Sequence, residues 1–247
     1  MMAAVETEVP LSGGRITQGV VRVGDTVRRP VSAASPFVAD LLGLLHERGF
    51  TGAPRYLGRD RAGRDILSHL PGQVPARFRP WSDGQIATAG ALLRALHDAT
   101  RGSALAGAHP VVCHHDPGPN NTVFRNGSPA AFIDFDTAAP GDPLEDLGYM
   151  AWTWCITSKP GAAPIKAQAA QVRVLTDSYG LAHRARAALV DAILDRQAGN
   201  ADWWHRQLTA PGPPIATEQQ VTERIAWSRR ERAFTVAHRS VFDSALR

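Results

Sequence analysis

Lysine, cysteine and long apolar runs are scarce in this chain, and each scarcity excludes something. The first of its two lysines is Lys159, so any phosphate-binding cation before that position must be an arginine. The two cysteines, Cys113 and Cys155, lack the spacing of a metal site and are expected to be buried free thiols in a reducing cytoplasm.

The chain also has no stretch of about 18 apolar residues, so we expect no transmembrane helix and no membrane partner. Its start lacks a basic segment followed by an apolar core, so we expect no signal peptide. These absences together favour a cytoplasmic location.

The charge is mildly basic, with a formal net charge of +4. The arginines are scattered, with their densest group at Arg229, Arg230 and Arg232, and no aromatic-basic platform accompanies them. We therefore expect no nucleic-acid partner. A basic surface suits a phosphate-rich nucleotide but does not help to bind a polycationic small molecule.

The chain is organised around the stretch Cys113–Asn121 and a second acidic segment, Asp134-Phe135-Asp136. An apolar run before Asp134, too short for a helix, indicates a strand. The Asn126-Gly127 dipeptide predicts a tight hairpin between this strand and the one that follows Asn121. The hairpin would bring Asp116, Asn121 and Asp134 to the same edge.

That residue set suits phosphoryl transfer. One carboxylate, Asp116, would orient the attacking hydroxyl and accept its proton, while Asn121 and Asp134 would hold Mg²⁺. His114 fits the H-x-D-x-x-x-x-N loop of protein kinases, and Asp134 begins a segment that stands where their D-F-G would be.

Other interpretations of the same residues remain open. The Asp116-Pro117-Gly118 sequence is also typical of an ordinary turn. A metal-dependent hydrolase that uses His114, His115 and Asp116, with Asp134 and Asp136, is another possibility for the chemistry.

The order of three blocks resembles the aminoglycoside phosphotransferase family, whose members are kinase-like enzymes acting on small molecules. The blocks are His114-x-Asp116-x-x-x-x-Asn121, Ile133-Asp134-Phe135 and Gly141-Asp142-Pro143-x-x-Asp146-Leu147. The resemblance implies a bilobal α+β fold, ATP or GTP with Mg²⁺, and a small-molecule hydroxyl acceptor. Asp136 would be a further metal ligand or a supporting group.

The segment before these blocks reads as the small lobe of such a fold. Gly13 and Gly14 would form a turn over the phosphates. The resemblance calls for a lysine on the third strand, where this chain offers Arg29, or Arg28 if the register differs by one residue. Backbone groups from Ser68 to Leu70 would form a hinge and pair with adenine.

Residue patterns typical of helix starts and helix ends occur at several places in the chain. Ser35 and Pro36 predict a helix start, with Ser35 as N-cap, and an apolar stripe follows to Gly49. A helix from Arg184 to Gln197 is expected to stop at Gly199. Three segments read as N-terminal caps: Ser82-x-x-Gln85, Asp142-x-x-Glu145 and Thr217-x-x-Gln220.

We therefore predict an α+β, bilobal protein-kinase-like fold with a small antiparallel-sheet lobe, residues 1–72, and a mostly helical lobe, residues 73–247. The predicted function is transfer of the γ-phosphoryl group of ATP or GTP to a small-molecule hydroxyl, such as that of an aminoglycoside or another antibiotic, by a monomer or weak dimer. A pseudokinase that binds nucleotide without turnover is the alternative. In the resembled family acidic side chains wall the acceptor site, and the available ones here are Asp177, Asp191, Asp195 and Asp202.

Overall fold

A computed structural model describes residues 7–11, 19–75, 79–211 and 214–247. Its first part is a five-stranded antiparallel sheet with the strand order β1-β2-β3-β5-β4. Short apolar segments separated by turns form these strands, and β3 pairs with β5 across Arg29 and Asp65. The strands are β1 (Glu8–Pro10), β2 (Val21–Val23), β3 (Thr26–Arg29), β4 (Tyr56–Arg59) and β5 (Asp65–Ser68).

One helix, α1 (Ser35–Glu47), packs beside this sheet through an apolar stripe that the sequence predicted. Ser35, however, is not its N-cap. The N-cap is Ala34, without a side-chain hydrogen bond, whereas the Ser35 hydroxyl lies buried and donates to Asp65 Oδ2 at 2.5 Å. The cap prediction was wrong because a buried carboxylate on β5 competes for the same hydroxyl.

The second part is mostly helical and surrounds two small β-ribbons. The apolar face of α2 packs on α4, and α3 packs on α6, which in turn packs on α7. The ribbons pair β6 (Val111–Cys113) with β9 (Ala139–Gly141), and β7 (Thr122–Arg125) with β8 (Ser128–Phe132). The helices are α2 (Asp83–Thr100), α3 (Pro143–Met150), α4 (Ile165–Tyr179), α5 (His183–Arg186), α6 (Leu189–Gln207), α7 (Glu218–Ala237) and α8 (Arg239–Leu246).

The α+β, bilobal class predicted from the sequence is confirmed. The two parts meet where the Phe132 amide donates to the Gly52 carbonyl at 2.8 Å. The last strand of the first sheet ends at Ser68, and Gln73 already pairs with Phe124 of the second part. The division at residue 72 stays a prediction, but the strand end and the first bridge to the second part flank it.

Local signals predicted several helix starts and ends, but one predicted helix end was wrong. The caps at Ser82, Asp142 and Thr217 all form capping boxes. Gly199, by contrast, does not stop a helix, because α6 continues through it to Gln207. The apolar side chains beyond it, including Trp204 on α6, pack against α7 and outweigh the low helix propensity of glycine.

A different glycine, Gly148, controls how closely α3 and α6 approach each other. A Cβ atom at this position would lie 2.7 Å from the Ala192 carbonyl oxygen and 3.0 Å from the Ile193 amide nitrogen. Because both neighbours are backbone atoms of a packed helix, they have little room to yield. The absence of a side chain at Gly148 lets α6 lie against α3. Residues 114–121, which precede α3 and follow β6, are called the central loop.

We expect Gly148→Ala to destabilise the protein by about 1–3 kcal/mol, since it overpacks the contact between α3 and α6. Gly199→Ala is the matched control, because nothing lies within 4 Å of its added Cβ. That change should stabilise α6 by about 0.5–1 kcal/mol. Urea denaturation of both variants measures the difference, and equal stability of the two would contradict the close contact.

Candidate functional site

A tight loop after β6 brings Asp116 and Asn121 together, as the sequence predicted. The chain turns through a 3-10 segment at Pro119–Asn121. The Asn121 side-chain amide then donates to the Asp116 carboxylate at 2.8 Å and to the Asp116 carbonyl at 3.0 Å. These bonds fix the carboxylate relative to the amide oxygen of Asn121.

Asp134 reaches the same place through the predicted hairpin. Asn126 and Gly127 both have positive φ, which matches the tight turn between β7 and β8. At the end of the hairpin the Ile133 amide donates to the Asn121 carbonyl at 2.9 Å. The next residue, Asp134, has a left-handed backbone at φ 65°, a strained conformation for a residue other than glycine.

The buried side chain of His114 links the loop to this hairpin. Its ring is 1% exposed, its Nε2 lies 3.0 Å from the Ile133 carbonyl, and its Nδ1 lies 3.3 Å from the Asp116 amide. A carbonyl partner requires a proton on Nε2, which leaves Nδ1 as the acceptor. Burial lowers the pKa of His114 and keeps the ring neutral. His114 therefore positions Asp116 and Asp134 rather than facing the open site.

Arg29 extends from β3 of the first lobe to the acidic segment of the second. Its guanidinium pairs with the Asp136 carboxylate, and Nη1 lies 3.7 Å from Asp134 Oδ1. Arg28 points the other way, to Asp60 and the Thr26 hydroxyl. Of the two arginines considered from the sequence, the structure brings only Arg29 to the acidic segment.

The carboxyl groups of Asp116 and Asp134 both have pKa values above those of ordinary aspartates. Burial raises the pKa of Asp116, and the nearby Tyr149 hydroxyl lowers it. Burial and the negative charge of Asp136 raise the pKa of Asp134, whereas Arg29 lowers it. The Oδ1 atom of Asp116 is buried and has no hydrogen-bond partner among the described residues.

The donor set also fits a divalent metal such as Mg²⁺. Asp134 is about half exposed, Asn121 offers an amide oxygen, and Asp136 lies beside them. Oxygen ligands of this kind are those that Mg²⁺ prefers. The roles assigned to these side chains remain predictions.

Other predicted site residues lie elsewhere or are already engaged. The Ser68 amide donates to the Arg55 carbonyl and the His69 amide to the Asp25 carbonyl, so these two amides are already engaged. The pairing of this segment with adenine stays a prediction. Leu70 is the next residue along, and its amide has no backbone partner among the described residues. Gly13 and Gly14 lie outside the described residues.

The histidines do not form the metal site of a hydrolase. His115 lies with Nδ1 at 3.0 Å from the Thr137 carbonyl and Nε2 at 2.9 Å from Glu145. Both ring nitrogens of His114 are engaged as well. The geometry therefore favours the phosphoryl-transfer interpretation over the hydrolase.

The residue that the sequence analysis left without a role is Asp146. Its buried carboxylate accepts from the amides of His114 and His115, each at 2.7 Å, and from His97 Nε2 at 3.0 Å. The Tyr179 hydroxyl lies 2.9 Å from the other ring nitrogen of His97. Its place in the Gly141–Leu147 block was the available signal, but nothing in the sequence showed that it holds the loop backbone.

The comparisons with known proteins agree with this geometry. Residues 101–190 match the profile of the "Phosphotransferase enzyme family". A trifolitoxin immunity protein of Rhizobium leguminosarum bv. trifolii is 31% identical over 97% of this chain and 98% of its own length. This chain belongs to the phosphotransferase enzyme family.

Solved structures of low sequence identity share the fold of this family member. A choline/ethanolamine kinase family protein from Mesorhizobium loti superposes with a TM-score of 0.66 at 21% identity, over 98% of this chain and 93% of its own. The amicoumacin kinase hAmiN, in complex with AMP-PNP, Ca²⁺ and Ami, gives a TM-score of 0.62 at 10% identity, over 93% and 88%. Among the described residues, no helix is both long and apolar enough to cross a membrane.

The Asp146 network predicts how stability depends on pH. Burial raises the pKa of Asp146, but its hydrogen bond from His97 and the nearby histidines outweigh this and lower it to about 2. Because the folded-state pKa lies below the unfolded one, the stabilisation is present near neutral pH and is lost as the pH falls from about 4 to about 2. The shift corresponds to about 2 kcal/mol.

We expect Asp146→Asn to lose at least this stabilisation and to show a flatter stability profile over that acid range, measured by urea denaturation at several pH values. Asp40→Asn is the control, because Asp40 is exposed on α1 and forms no ion pair among the described residues. An unchanged acid limb in the Asp146 variant would contradict the assignment.

Proposed function

We propose that this protein transfers the γ-phosphoryl group of ATP or GTP to a hydroxyl group of a small molecule. The observation that carries the proposal is the convergence of Asp116, Asn121 and Asp134 at one edge, opposite Arg29 of the other lobe. A non-catalytic scaffold has no need of all four groups in this arrangement.

Asp116 takes the role of catalytic base. Its carboxylate accepts the proton of the acceptor hydroxyl, and its raised pKa makes it a better proton acceptor than an ordinary carboxylate. Asn121 holds one carboxylate oxygen and keeps the carboxylate oriented. His114, with its fixed tautomer, supports the loop from beneath.

Asn121 and Asp134 would hold Mg²⁺, and Asp136, whose charge acts on Asp134, would be a further ligand or a supporting group. The metal, when bound, neutralises charge on the phosphates of the nucleotide. Arg29, which pairs with Asp136 and lies near Asp134, would contact those phosphates. An arginine can bind phosphate oxygens in a bidentate manner, so it can serve where the family has a lysine.

The acceptor is proposed to be an antibacterial compound or a related hydroxylated metabolite. This follows from the name of the immunity protein, which is similar along nearly the whole chain, and from the antibiotic kinase among the solved structures. We propose further that the protein works without nucleic acid, in the cytoplasm, as a monomer or weak dimer.

Replacement of Asp116 tests the catalytic role. We expect Asp116→Asn to keep nucleotide affinity near normal and to lower turnover by roughly a hundredfold or more. Asp134→Ala should instead weaken nucleotide binding itself, and only when Mg²⁺ is present. Calorimetry with and without Mg²⁺, together with nucleotide consumption against a panel of hydroxylated acceptors, separates these effects.

An unchanged turnover in the Asp116 variant would remove it from the role of base. Nucleotide binding without turnover of any acceptor would favour a pseudokinase. The observation in favour of that alternative is Arg29, which stands where the family has a lysine. Failure to bind nucleotide at all would reject the proposal.

The neighbouring arginines offer a matched pair for the phosphate contact. Arg29→Ala should raise the nucleotide dissociation constant about tenfold or more, because a charge-assisted contact is lost. Arg28→Ala should leave it almost unchanged, since Arg28 faces Asp60. Titration calorimetry with Mg-nucleotide compares them, and a larger effect at Arg28 would contradict the orientation of β3.

A further inference from the structure

His115 of the central loop contacts three other segments of the second lobe. Its amide donates to Asp146 Oδ1 of α3 at 2.7 Å, and its carbonyl accepts from Arg196 Nη2 of α6 at 2.5 Å. Its ring lies with Nδ1 3.0 Å from the Thr137 carbonyl and with Nε2 2.9 Å from Glu145 Oε2 of α3. All four polar groups of this residue therefore have partners within hydrogen-bond distance.

Both partners of the His115 ring are hydrogen-bond acceptors. A backbone carbonyl and a carboxylate have no proton to donate, and a neutral imidazole has only one N–H. A neutral ring would therefore leave an unprotonated nitrogen facing an oxygen, whereas an imidazolium donates to both partners and pairs its charge with Glu145. The ring of His114 differs, because it faces one acceptor, the Ile133 carbonyl, and one donor, the Asp116 amide. Those two partners suit a neutral ring.

The carboxylate of Glu145 is held in place by the start of α3. Its Oε1 accepts from the Asp142 amide at 2.9 Å in the capping box, which leaves Oε2 for His115. Gly141 leaves room for this arrangement, because a Cβ atom there would lie 2.9 Å from Oε1. A helix N-terminus also favours negative charge. Glu145 therefore presents a fixed carboxylate to the His115 ring.

The charged groups around the His115 ring favour its protonated form. The acidic side chains of the central loop, of the turn that ends at Thr137 and of the start of α3 are Asp116, Asp134, Asp136, Asp142, Glu145 and Asp146. Arg196 opposes them from α6, but it lies on the carbonyl side of the residue, and Arg29 pairs with Asp136. The ring is 16% exposed, so water as well as Glu145 stabilises its charge.

We propose that His115 is an imidazolium in the folded protein and that this charged ring positions Asp116. The ring joins the central loop to Thr137 and to α3, so loss of one proton releases one of the two contacts beside Asp116. The backbone of His115 has a positive φ of 63°, a conformation that such contacts must maintain. The inference rests on the proposed phosphotransfer for the role of Asp116, whereas the charge of the ring is independent of it.

Protonation of the His115 ring is measured by long-range ¹H–¹⁵N correlation NMR on the full-length protein with ¹⁵N-labelled histidine, without nucleotide or metal. The signals of His115 are those that disappear in His115→Gln. We expect both ring nitrogens of His115 to carry a proton at pH 7.5, a pH at which a histidine side chain in water is mostly neutral.

The variant Glu145→Gln removes the negative charge and keeps a residue that serves in a capping box. Its side-chain amide can donate to an unprotonated Nε2, so we expect a neutral His115 ring at pH 7.5 in this variant. Glu47→Gln is the control, because Glu47 is exposed on α1 of the first lobe and should leave the ring doubly protonated.

The pH dependence of Mg-ATP consumption, measured with an acceptor from the panel, tests the positioning of Asp116. Turnover should fall as the ring loses a proton at rising pH, and Glu145→Gln should move this fall to a pH lower by about one unit or more. Arginine does not lose its proton in this range, so His115→Arg should lack the fall. Glu47→Gln should keep the profile of the unaltered protein.

The charge of the ring and its effect on turnover fail separately. A single proton on the His115 ring at pH 7.5 in the unaltered protein overturns the inference, and so does a doubly protonated ring in Glu145→Gln. Turnover that falls at the same pH with and without Glu145→Gln rejects the positioning of Asp116. Absence of turnover for every acceptor counts against the proposed function, and the NMR comparison then decides the charge of the ring by itself.

Discussion

The central loop depends on one buried carboxylate. Asp146 accepts from two consecutive backbone amides, at His114 and His115, and from the His97 ring. Its charge is stabilised by donors instead of water, and the donors in turn hold the loop backbone in a single conformation. His115 has a positive φ of 63°, a conformation that the surrounding hydrogen bonds must maintain. The position of Asp116 therefore depends on the buried hydrogen bonds of the two residues that precede it, His114 and His115.

The central loop is also held by α6, which contacts it on the side away from Asp146. The missing side chain at Gly148 lets α6 approach α3, and α6 carries Arg196, whose guanidinium contacts both the His115 carbonyl and the Tyr149 ring. The central loop thus lies between the buried Asp146 carboxylate and the Arg196 guanidinium. The geometry of the proposed base depends on both supports.

Much of this could be predicted from the sequence because the signals were local. The hairpin at Asn126-Gly127, the capping boxes and the spacing of Asp116, Asn121 and Asp134 each depend on a few neighbouring residues. The errors came from contacts between distant segments. Ser35 pairs with a carboxylate on another strand, and α6 passes through Gly199 because side chains on α7 pack beside it.

The pairing of Arg29 with Asp136 has a further consequence for the order of events. Two neighbouring carboxylates, Asp134 and Asp136, repel each other when no metal is bound, and the guanidinium of Arg29 offsets this repulsion in the free protein. In the free protein Arg29 therefore supplies the positive charge that the proposed Mg²⁺ would supply when bound. A metal that arrives alone would have to displace it, leaving an uncompensated arginine. If Asp134 and Asp136 hold a metal as proposed, the phosphates of a nucleotide bound with it would give Arg29 a new counter-charge, which favours binding of metal and nucleotide together.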